Sequence, residues 1–576
     1  MTDLYFIPQP QRCTPLAAAA AVGPESPVVL CAPAQDGRLV RAARSLFSHV
    51  EVRTGPFCLC TPDAPALAAP MHAQGYRLQI EGGALMLCAG DAAGLFYGMQ
   101  TLRQWLDMPR RPSLAVEDWP DVPLRADYLD LRGIFPKFDR LLAFIAEMAQ
   151  YKLNALVIEY EDKLPRADAA LRAKNALTPA QHRRLLETAR ENFIEIIPLQ
   201  QTFGHLEYVL GLPKYRHLRE VDTAPGELCP LRPGAQELAR ALLADTLRLH
   251  PDSRFVHIGC DEVWSLGQSP ECCASGKPRG RIAVDFVNAA ARAVLDAGKT
   301  PVVWHDMIAS PTQTDEALAA LDRRLVVAIW LYGADTVGRD APVIARRLDA
   351  LGIRWAPCSA VRAFDERPGQ NYPDAEQRLR NIDAWAAFAA AHGAWAAINT
   401  NWASSFSRGC PYGLFETSRY TAFYAAERCW NLRADAAGFL ERFFGAYHGA
   451  YGLALYGGPE RRYDYYREAG AQLAHIARNR ETAQLIGISR RLERAGAVET
   501  TLFRGDLFPT DGVELDCLRE RTGQDGAARQ KALRELAALL PRLLDEDAAA
   551  LYLASRTWPG DVFAREAARI LGAQRG

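Results

Sequence analysis

The chain has 576 residues, of which 49% are hydrophobic and 23% are charged. One hydrophobic core rarely organises more than about 300 residues, so two or three domains are expected. The 67 Lys and Arg residues nearly balance the 68 Asp and Glu residues, which leaves a formal net charge of −1. Such a balance creates no overall field to attract nucleic acid or an anionic membrane, so neither is a predicted partner.

The N-terminus and the cysteines bear on the compartment. The first residues, MTDLYFIPQPQRC, lack the basic and apolar segments of a secretion signal, and no run of about 18 apolar residues predicts a membrane span. A cytoplasmic location is therefore predicted. The 13 cysteines are odd in number and irregularly spaced, so they are expected to be reduced. Cys272 and Cys273 are adjacent but have no CxxC or HxxxH partner nearby, and neither a metal nor a cofactor is predicted.

An α+β domain is predicted for residues 1–120. Apolar residues alternate on both sides of Gly82 and Gly83 in YRLQIEGGALMLCAG, which indicates a β-hairpin. Apolar residues then recur at helical spacing in GLFYGMQTLRQWLDM. Four prolines in MPRRPSLAVEDWPDVPLR exclude a continuous helix and indicate a domain boundary near residue 120.

A barrel is predicted for residues 121–430, where β-like apolar runs alternate with amphipathic helices. The eight runs are RADYLDLR, LNALVIEY, IEIIPLQQ, RFVHIGCDE, TPVVWHDM, LVVAIWLY, IRWAPCSA and AWAAINTNW. Eight such units predict an α/β fold of the (β/α)8 TIM-barrel type, whose active site lies at the carboxyl ends of the strands. Residues 431–576 are rich in Ala, Leu and Arg and predict a C-terminal α-helical domain, which is a candidate interface for a homodimer.

Side chains able to do chemistry follow six of these runs. They are Glu161 and Asp162, His205, Asp261 and Glu262, His305 and Asp306, Trp330 and Tyr332, and Asn401 and Trp402. Polar residues often follow buried strands simply because loops are solvated. Their repetition over six strands nevertheless favours one shared site at the mouth of the barrel.

The segment RFVHIGCDEVW, residues 254–264, is the most informative part of the chain. Its apolar strand ends in Asp261 and Glu262. Adjacent acids are expected several times by chance among 68 acids, but this pair stands at the predicted mouth of a barrel. Two carboxyl groups buried side by side differ in pKa, so that one stays ionised while the other holds a proton. Glycoside hydrolysis depends on such a division.

The motif HIGCDE is similar to the H-x-G-G-D-E signature of glycoside hydrolase family 20, the β-N-acetylhexosaminidases. The resemblance continues in YRLQIEGGALMLCAGDAAGLFYGMQTLRQWL, which looks like the family's small α+β domain, and in EDWPDVPLRADYLD, which looks like its junction with the first barrel strand. IIPLQQTFGH and CPLRP resemble the third strand and the loop before the catalytic strand. The match covers roughly residues 70–415 and looks nearest to the branch containing hexosaminidase D and some bacterial exo-N-acetylglucosaminidases.

The resemblance implies a retaining exo-β-N-acetylhexosaminidase. Its substrate would be an oligosaccharide or glycoconjugate with a terminal β-linked GlcNAc, or alternatively GalNAc. In this family the substrate's 2-acetamido group attacks the anomeric carbon and gives an oxazolinium intermediate. Asp261 would orient and stabilise the acetamido nitrogen, while Glu262 would protonate the leaving oxygen and later activate water.

The same resemblance implies a set of substrate contacts. Arg125 would hydrogen-bond the hydroxyls of the terminal sugar, and His205 would tune Glu262. The aromatic walls of the pocket would come from Trp304, Trp330 and Trp402. Further candidates for substrate contacts are Asp306, Tyr332 on the acetamido oxygen, Glu416 on the outer hydroxyls, and the strand-two acids Glu161 and Asp162.

The chain departs from the family pattern at three places. Cys260 replaces the second Gly of the signature, and a small side chain is expected to fit there because a strand needs no positive φ. VIEYEDKLP stands where most relatives have a strand-two His, which leaves Glu161 and Asp162 without assigned partners. WAPCSAVRAFD offers no Tyr-x-Asp after strand seven. These departures bear on substrate preference rather than on acid-base chemistry.

Three other functions remain open at this point. A non-catalytic carbohydrate-binding barrel would have no use for an intact acid pair. An exo-β-glucosaminidase would leave Asp261 without an acetamido partner. A metal-dependent hydrolase would need His205, His257, His305 and Asp306 to converge, whereas His257 lies inside a predicted strand, where a core histidine is expected.

Overall fold

The structure, a computed structural model, describes most of the chain up to residue 443 and part of the chain beyond it. The described residues are 4–108, 110–132, 136–173, 175–363, 375–402, 404–405, 410–411, 418–443, 488, 512–544, 546, 549–550 and 553.

The N-terminal part is a seven-stranded sheet with two helices. Its strands are β1 (Arg12–Ala19), β2 (Val28–Ala32), β3 (Val50–Thr54), β4 (Cys58–Cys60), β5 (Tyr76–Glu81), β6 (Ala84–Ala89) and β7 (Pro112–Asp118), and its helices are α1 (Gly37–Arg44) and α2 (Ala92–Leu106). The spatial order is β1-β7-β5-β6-β4-β2-β3. The predicted hairpin is β5 and β6, which turn at Gly82 with a φ of 56°, and α2 packs on both strands.

Eight parallel strands then close into a barrel in chain order. They are β8 (Leu124–Asp130), β9 (Ala155–Glu159), β10 (Glu195–Leu199), β11 (Phe255–His257), β12 (Thr300–Trp304), β13 (Val326–Trp330), β14 (Arg354–Arg362) and β15 (Ala396–Asn401). Each of the eight apolar runs in the sequence supplies one of these strands. The predicted TIM barrel is therefore confirmed.

Helices surround the barrel and continue beyond it. They are α3 (Phe138–Gln150), α4 (Pro179–Glu191), α5 (Glu207–Leu210), α6 (Ala235–Leu249), α7 (Pro270–Ala274), α8 (Arg279–Asp296), α9 (Asp306–Ala309), α10 (Asp315–Ala319), α11 (Ala334–Ala350), α12 (Ala375–His392), α13 (Arg419–Trp430), α14 (Phe439–Phe443) and α15 (Gly512–Leu539). Two very short strands, β16 (Ser404–Ser405) and β17 (Cys410–Pro411), pair after the last barrel strand. No helix in the described part of the chain is long and apolar enough to cross a membrane.

The barrel strands are apolar throughout because both of their faces are buried. In β9, Ala155 and Val157 point into the barrel, whereas Leu156 and Ile158 pack outward under the helices. Side chains alternate between the two faces of a strand, so a continuous apolar run fills both layers. The polar residues that interrupt this pattern at the strand ends are thereby placed at the rim.

A buried polar network joins the N-terminal sheet to the amino-terminal end of the barrel. Asp118, the last residue of β7, accepts hydrogen bonds from Lys152 Nζ (2.8 Å), Tyr76 Oη (2.6 Å) and Trp430 Nε1 (2.8 Å). The Lys152–Asp118 ion pair is fully buried. Removing one partner of such a pair leaves an uncompensated charge in the interior. The Lys152–Asp118 pair therefore holds the N-terminal sheet in place against the barrel.

Candidate active site

The acid pair lies just beyond the carboxyl end of β11, in a backbone segment of unusual conformation. Gly259, Cys260 and Glu262 have φ angles of 68°, 73° and 52°. The expectation that Cys260 needs no positive φ is therefore wrong, because the strand has ended at His257. Left-handed non-glycine residues cost free energy and concentrate at functional sites. Cys260 is buried, with its Sγ 3.1 Å from Thr202 Oγ1.

A glycine in the loop that follows the neighbouring strand β10 permits the close approach of this segment. A Cβ atom at Gly204 would lie 2.0 Å from the backbone oxygen of Asp261. Any side chain there would push the acid pair out of place. The Gly-His step of IIPLQQTFGH is thus explained by two needs: room for the Asp261 backbone, and His205 directly after it.

His205 bridges the two acids. Its Nε2 lies 3.4 Å from Asp261 Oδ2 and 3.3 Å from Glu262 Oε2. Burial by itself would lower the pKa of His205, but the charge of Asp261 and the hydrogen bonds to both acids outweigh it, and the pKa of His205 lies well above its usual value. Burial would raise the pKa of Asp261, but His205 outweighs burial and the pKa is lowered. At neutral pH, Asp261 is therefore ionised and His205 protonated.

Asp306 holds the backbone of Glu262. Its Oδ2 accepts a hydrogen bond from the Glu262 N–H (2.9 Å), and its Oδ1 accepts one from Trp330 Nε1 (3.3 Å). Burial, and then the nearby charge of Asp261, raise the pKa of Asp306 to about 7. The structure thus joins three of the predicted residues, from the ends of β11, β12 and β13, in one network.

Aromatic side chains form one wall of the mouth. Trp402 Nε1 donates a hydrogen bond to Tyr332 Oη (2.9 Å), and the rings of Tyr332 and Trp330 are 5.4 Å apart. All three side chains keep some exposed surface. Trp304 has none, because it lies inside the barrel with its ring 4.2 Å from His257 and 6.2 Å from Trp402. The prediction that Trp304 lines the pocket is corrected: the Trp304 ring packs near Trp402 from inside the barrel.

Arg125 is not at the mouth, and its predicted contact with the sugar is wrong. It stands near the start of β8, where its guanidinium donates to the backbone oxygens of Lys152 (2.9 Å) and Val122 (2.8 Å) and to Gln74 Oε1 (3.0 Å). The side chain is fully buried beside Trp430. The amino-terminal end of a strand faces away from the active site of a barrel, so Arg125 belongs to the junction with the N-terminal sheet.

A different arginine occupies the mouth. Arg132 follows the end of β8, pairs with Asp130 (3.0 Å) and Glu159 (3.6 Å), and has its guanidinium carbon 5.3 Å from the Trp402 ring centroid. The sequence reasoning missed Arg132 and Glu159. The run RADYLDLR itself contained the signal, because its last residue is the one placed at the carboxyl end.

The two strand-two acids have separate surroundings. Glu161 has a φ of 48°, and burial raises its pKa to about 8 although the Arg132 charge opposes the shift. Asp162 forms an ion pair with Lys163.

Asn401, at the end of β15, accepts a hydrogen bond from Ser418 Oγ (3.0 Å). Glu416 lies outside the described residues.

The histidines do not form a metal centre at the mouth. His257 is fully buried, its Nδ1 accepts a hydrogen bond from the Gly259 N–H (3.0 Å), and burial lowers its pKa to about 3. Burial also lowers the pKa of His305 to about 3. Within the described part of the chain, neither of them forms a group of ligand atoms with His205 and Asp306. The metal-dependent alternative therefore has no geometric support.

Comparison with known proteins identifies relatives for both parts of the chain. The model "Glycosyl hydrolase family 20, domain 2" matches residues 3–119, and "Glycosyl hydrolase family 20, catalytic domain" matches residues 123–344. Hexosaminidase D of Homo sapiens is 32% identical over 272 residues, which are 46% of this chain and 56% of that protein. Hexosaminidase D of Bos taurus is 31% identical over 273 residues, which are 46% of this chain and 78% of that protein.

A solved structure gives the same fold. The β-N-acetylhexosaminidase from Bacteroides fragilis NCTC 9343 superposes with a TM-score of 0.60, at 16% sequence identity, over 76% of this chain and 94% of that chain. Identity this low supports the architecture alone.

Proposed function

Because the chain belongs to glycosyl hydrolase family 20, we propose that it is an exo-β-N-acetylhexosaminidase. It would remove a terminal β-linked N-acetylhexosamine from an oligosaccharide or glycoconjugate. The observation that carries this proposal is the contact of one imidazole, that of His205, with both Asp261 and Glu262 at the mouth of the barrel.

The arrangement favours catalysis assisted by the substrate. A retaining enzyme with its own nucleophile places the acid and the nucleophile on opposite sides of the anomeric carbon. Asp261 and Glu262 are consecutive and contact the same imidazole nitrogen, so they approach a sugar from one side. The proposal therefore assigns the attack from the other side to the sugar's own 2-acetamido oxygen.

The proposed reaction has two displacements. First, the acetamido oxygen bonds to the anomeric carbon while the bond to the leaving oxygen breaks, and Glu262 gives its proton to that oxygen. The ionised Asp261 stabilises the positive charge that develops on the acetamido nitrogen. Water then attacks the same carbon, opens the oxazolinium ring and returns a proton to Glu262, so that the configuration is retained.

The pocket walls suggest how the sugar is held. Trp330 and Trp402 offer partly exposed aromatic faces, and Tyr332 lies between them and is proposed to hydrogen-bond the acetamido oxygen. Arg132 takes the role first expected for Arg125, since its planar fork sits at the rim over the Trp402 ring and suits a pair of sugar hydroxyls. The ion pairs with Asp130 and Glu159 fix its orientation.

The activity is tested with nitrophenyl glycosides of four sugars. The β-N-acetylglucosaminide and β-N-acetylgalactosaminide are the expected substrates, and the ratio of their rates gives the preference at C4. The β-glucoside and β-glucosaminide lack the acetamido group and should not be cleaved. Equal cleavage of the β-glucosaminide would contradict the proposal, and binding of N-acetylglucosamine without any cleavage would favour a non-catalytic barrel.

A further inference from the structure

A cluster of side chains able to hold a metal ion lies on the segments that precede and follow β11 in the chain. Glu220 and Cys229 come from the loop between α5 and α6, and Cys272 comes from α7. Their exposed fractions are 1%, 0% and 3%. One carboxylate oxygen and two sulfur atoms all lie within 4.8 Å of one another. In the sequence, Cys272 has only Cys273 beside it, because the segment that carries Glu220 and Cys229 is separated from it by the whole of β11.

Two distances within the cluster match the edges of a tetrahedral metal site. Cys229 Sγ and Cys272 Sγ are 3.9 Å apart, and Cys272 Sγ lies 3.5 Å from Glu220 Oε2. Zinc bonds to sulfur at about 2.3 Å and to carboxylate oxygen at about 2.1 Å, so tetrahedral edges are about 3.8 Å between two sulfurs and about 3.6 Å between sulfur and oxygen. Ser269 Oγ, 3.1 Å from Cys229 Sγ, is placed to take the fourth position directly or through water.

The buried carboxyl group of Glu220 also favours the binding of a cation. Glu220 Oε1 accepts two backbone hydrogen bonds, from Gly267 (2.9 Å) and Ser269 (2.8 Å), whereas Oε2 faces a thiol, which is a weak donor. Arg232, the arginine that follows Cys229 in the same loop, pairs with Glu271 instead (3.2 Å). A buried carboxylate without a cationic partner is costly, and a divalent metal would remove that cost.

The two thiols must lose their protons for a metal to bind. Binding then releases protons, and the affinity must rise with pH.

The cluster is connected to the catalytic segment. Gly267 and Ser269 belong to the loop that follows Glu262, and in the same loop Ser265 donates to Glu227 through its N–H and its Oγ (2.6 Å each). We propose that Glu220, Cys229 and Cys272 form a structural zinc site that fastens the loop after Glu262 to the loop before α6. The site is independent of the proposed activity, since none of its ligands lies at the barrel mouth.

The test measures metal content and a thiolate signature in the tag-free full chain. Wild-type protein dialysed against metal-free buffer is expected to hold one equivalent of zinc by mass spectrometry. The metal-free chain titrated with Cd²⁺ should develop the ultraviolet sulfur-to-cadmium charge-transfer band, saturating at one equivalent. Cys229→Ser and Cys272→Ser should lose both signals. Cys273→Ser is the matched control, because Cys273 is adjacent and exposed, and it should keep both.

A further variant distinguishes loss of the metal site from misfolding of the cysteine variants. Glu220→Gln keeps both thiols and should weaken zinc binding roughly 10-fold or more. Zinc should raise the thermal midpoint of metal-free wild type and of Cys273→Ser, but not that of Cys272→Ser. The proposal is overturned if wild type takes up no zinc or cadmium, if Cys273→Ser loses the band, or if thiol counting after denaturation shows a Cys229–Cys272 disulfide.

Discussion

Replacing Asp261 with Asn removes one negative charge from the mouth while keeping the shape of the side chain. Asp261 Oδ2 lies 3.4 Å from His205 Nε2, and the carboxylate is buried. At an effective dielectric constant near 20, a unit charge at such a distance interacts by about 5 kcal/mol, and the developing oxazolinium charge would lose a comparable contact. Allowing for compensation by solvent, a transition-state loss of about 3 to 4 kcal/mol corresponds to a fall of roughly 10²- to 10³-fold in kcat/KM.

The assay is kcat/KM on nitrophenyl β-N-acetylglucosaminide, with thermal unfolding measured on the same samples. Asp296→Asn is the control, since Asp296 is an exposed acid that pairs with Arg292 on α8, and its rate should match wild type. The reasoning is refuted if Asp261→Asn stays within about threefold of wild type while remaining folded. It is also refuted if Asp296→Asn loses as much activity.

Three further predictions concern the rim, the backbone and the core. Arg132→Ala should lower kcat/KM at least about 10-fold with little change in thermal midpoint, whereas Arg125→Ala should chiefly lower the thermal midpoint. The opposite pattern would show that Arg125, as first predicted, contacts the sugar. Gly204→Ala places a methyl group 2.0 Å from a backbone oxygen, so the soluble fraction should be inactive or strongly destabilised, and wild-type kinetics would contradict the close approach. Burial lowers the pKa values of His182 and His250 to about 4 and about 3, below the value of about 6.5 in the unfolded chain, so their contribution is complete above pH 6.5 and is lost as the pH falls toward 3. The raised pKa values of Glu161 and Asp306 act in the opposite direction over this range, so the test compares two proteins. Between pH 7 and pH 5, the change in urea-unfolding stability should be about 2 kcal/mol less unfavourable in His182→Leu than in wild type, and an equal change in both would contradict this assignment.

The barrel and the acid pair were predictable because their signals are local. A strand buried on both faces must be a continuous apolar run, and the eight runs therefore mark the eight strands. The carboxyl ends of parallel strands meet at one rim, which is why His205, Asp261, Asp306 and Trp402 could be assigned to one site before any distance was known.

The wrong predictions concern residues whose roles depend on their positions in the folded chain. Arg125 and Arg132 belong to the same run, and only their positions at the start and end of β8 separate a junction residue from a rim residue. Cys260 was expected to continue a strand, but the strand is three residues long and the chain turns with positive φ after it. Cys272 was judged by its neighbour in sequence, whereas its partners in space come from residues 220 and 229.

The central claim is that the substrate's acetamido oxygen is the nucleophile. It is tested most directly by measuring kcat/KM for a series of nitrophenyl glucosaminides whose N-acetyl group carries zero, one, two or three fluorine atoms. Fluorine withdraws electrons from the carbonyl oxygen and weakens its attack, so the account predicts a steep and progressive fall in kcat/KM along the series. A rate that does not depend on fluorine content would contradict the account and would require a nucleophile supplied by the protein.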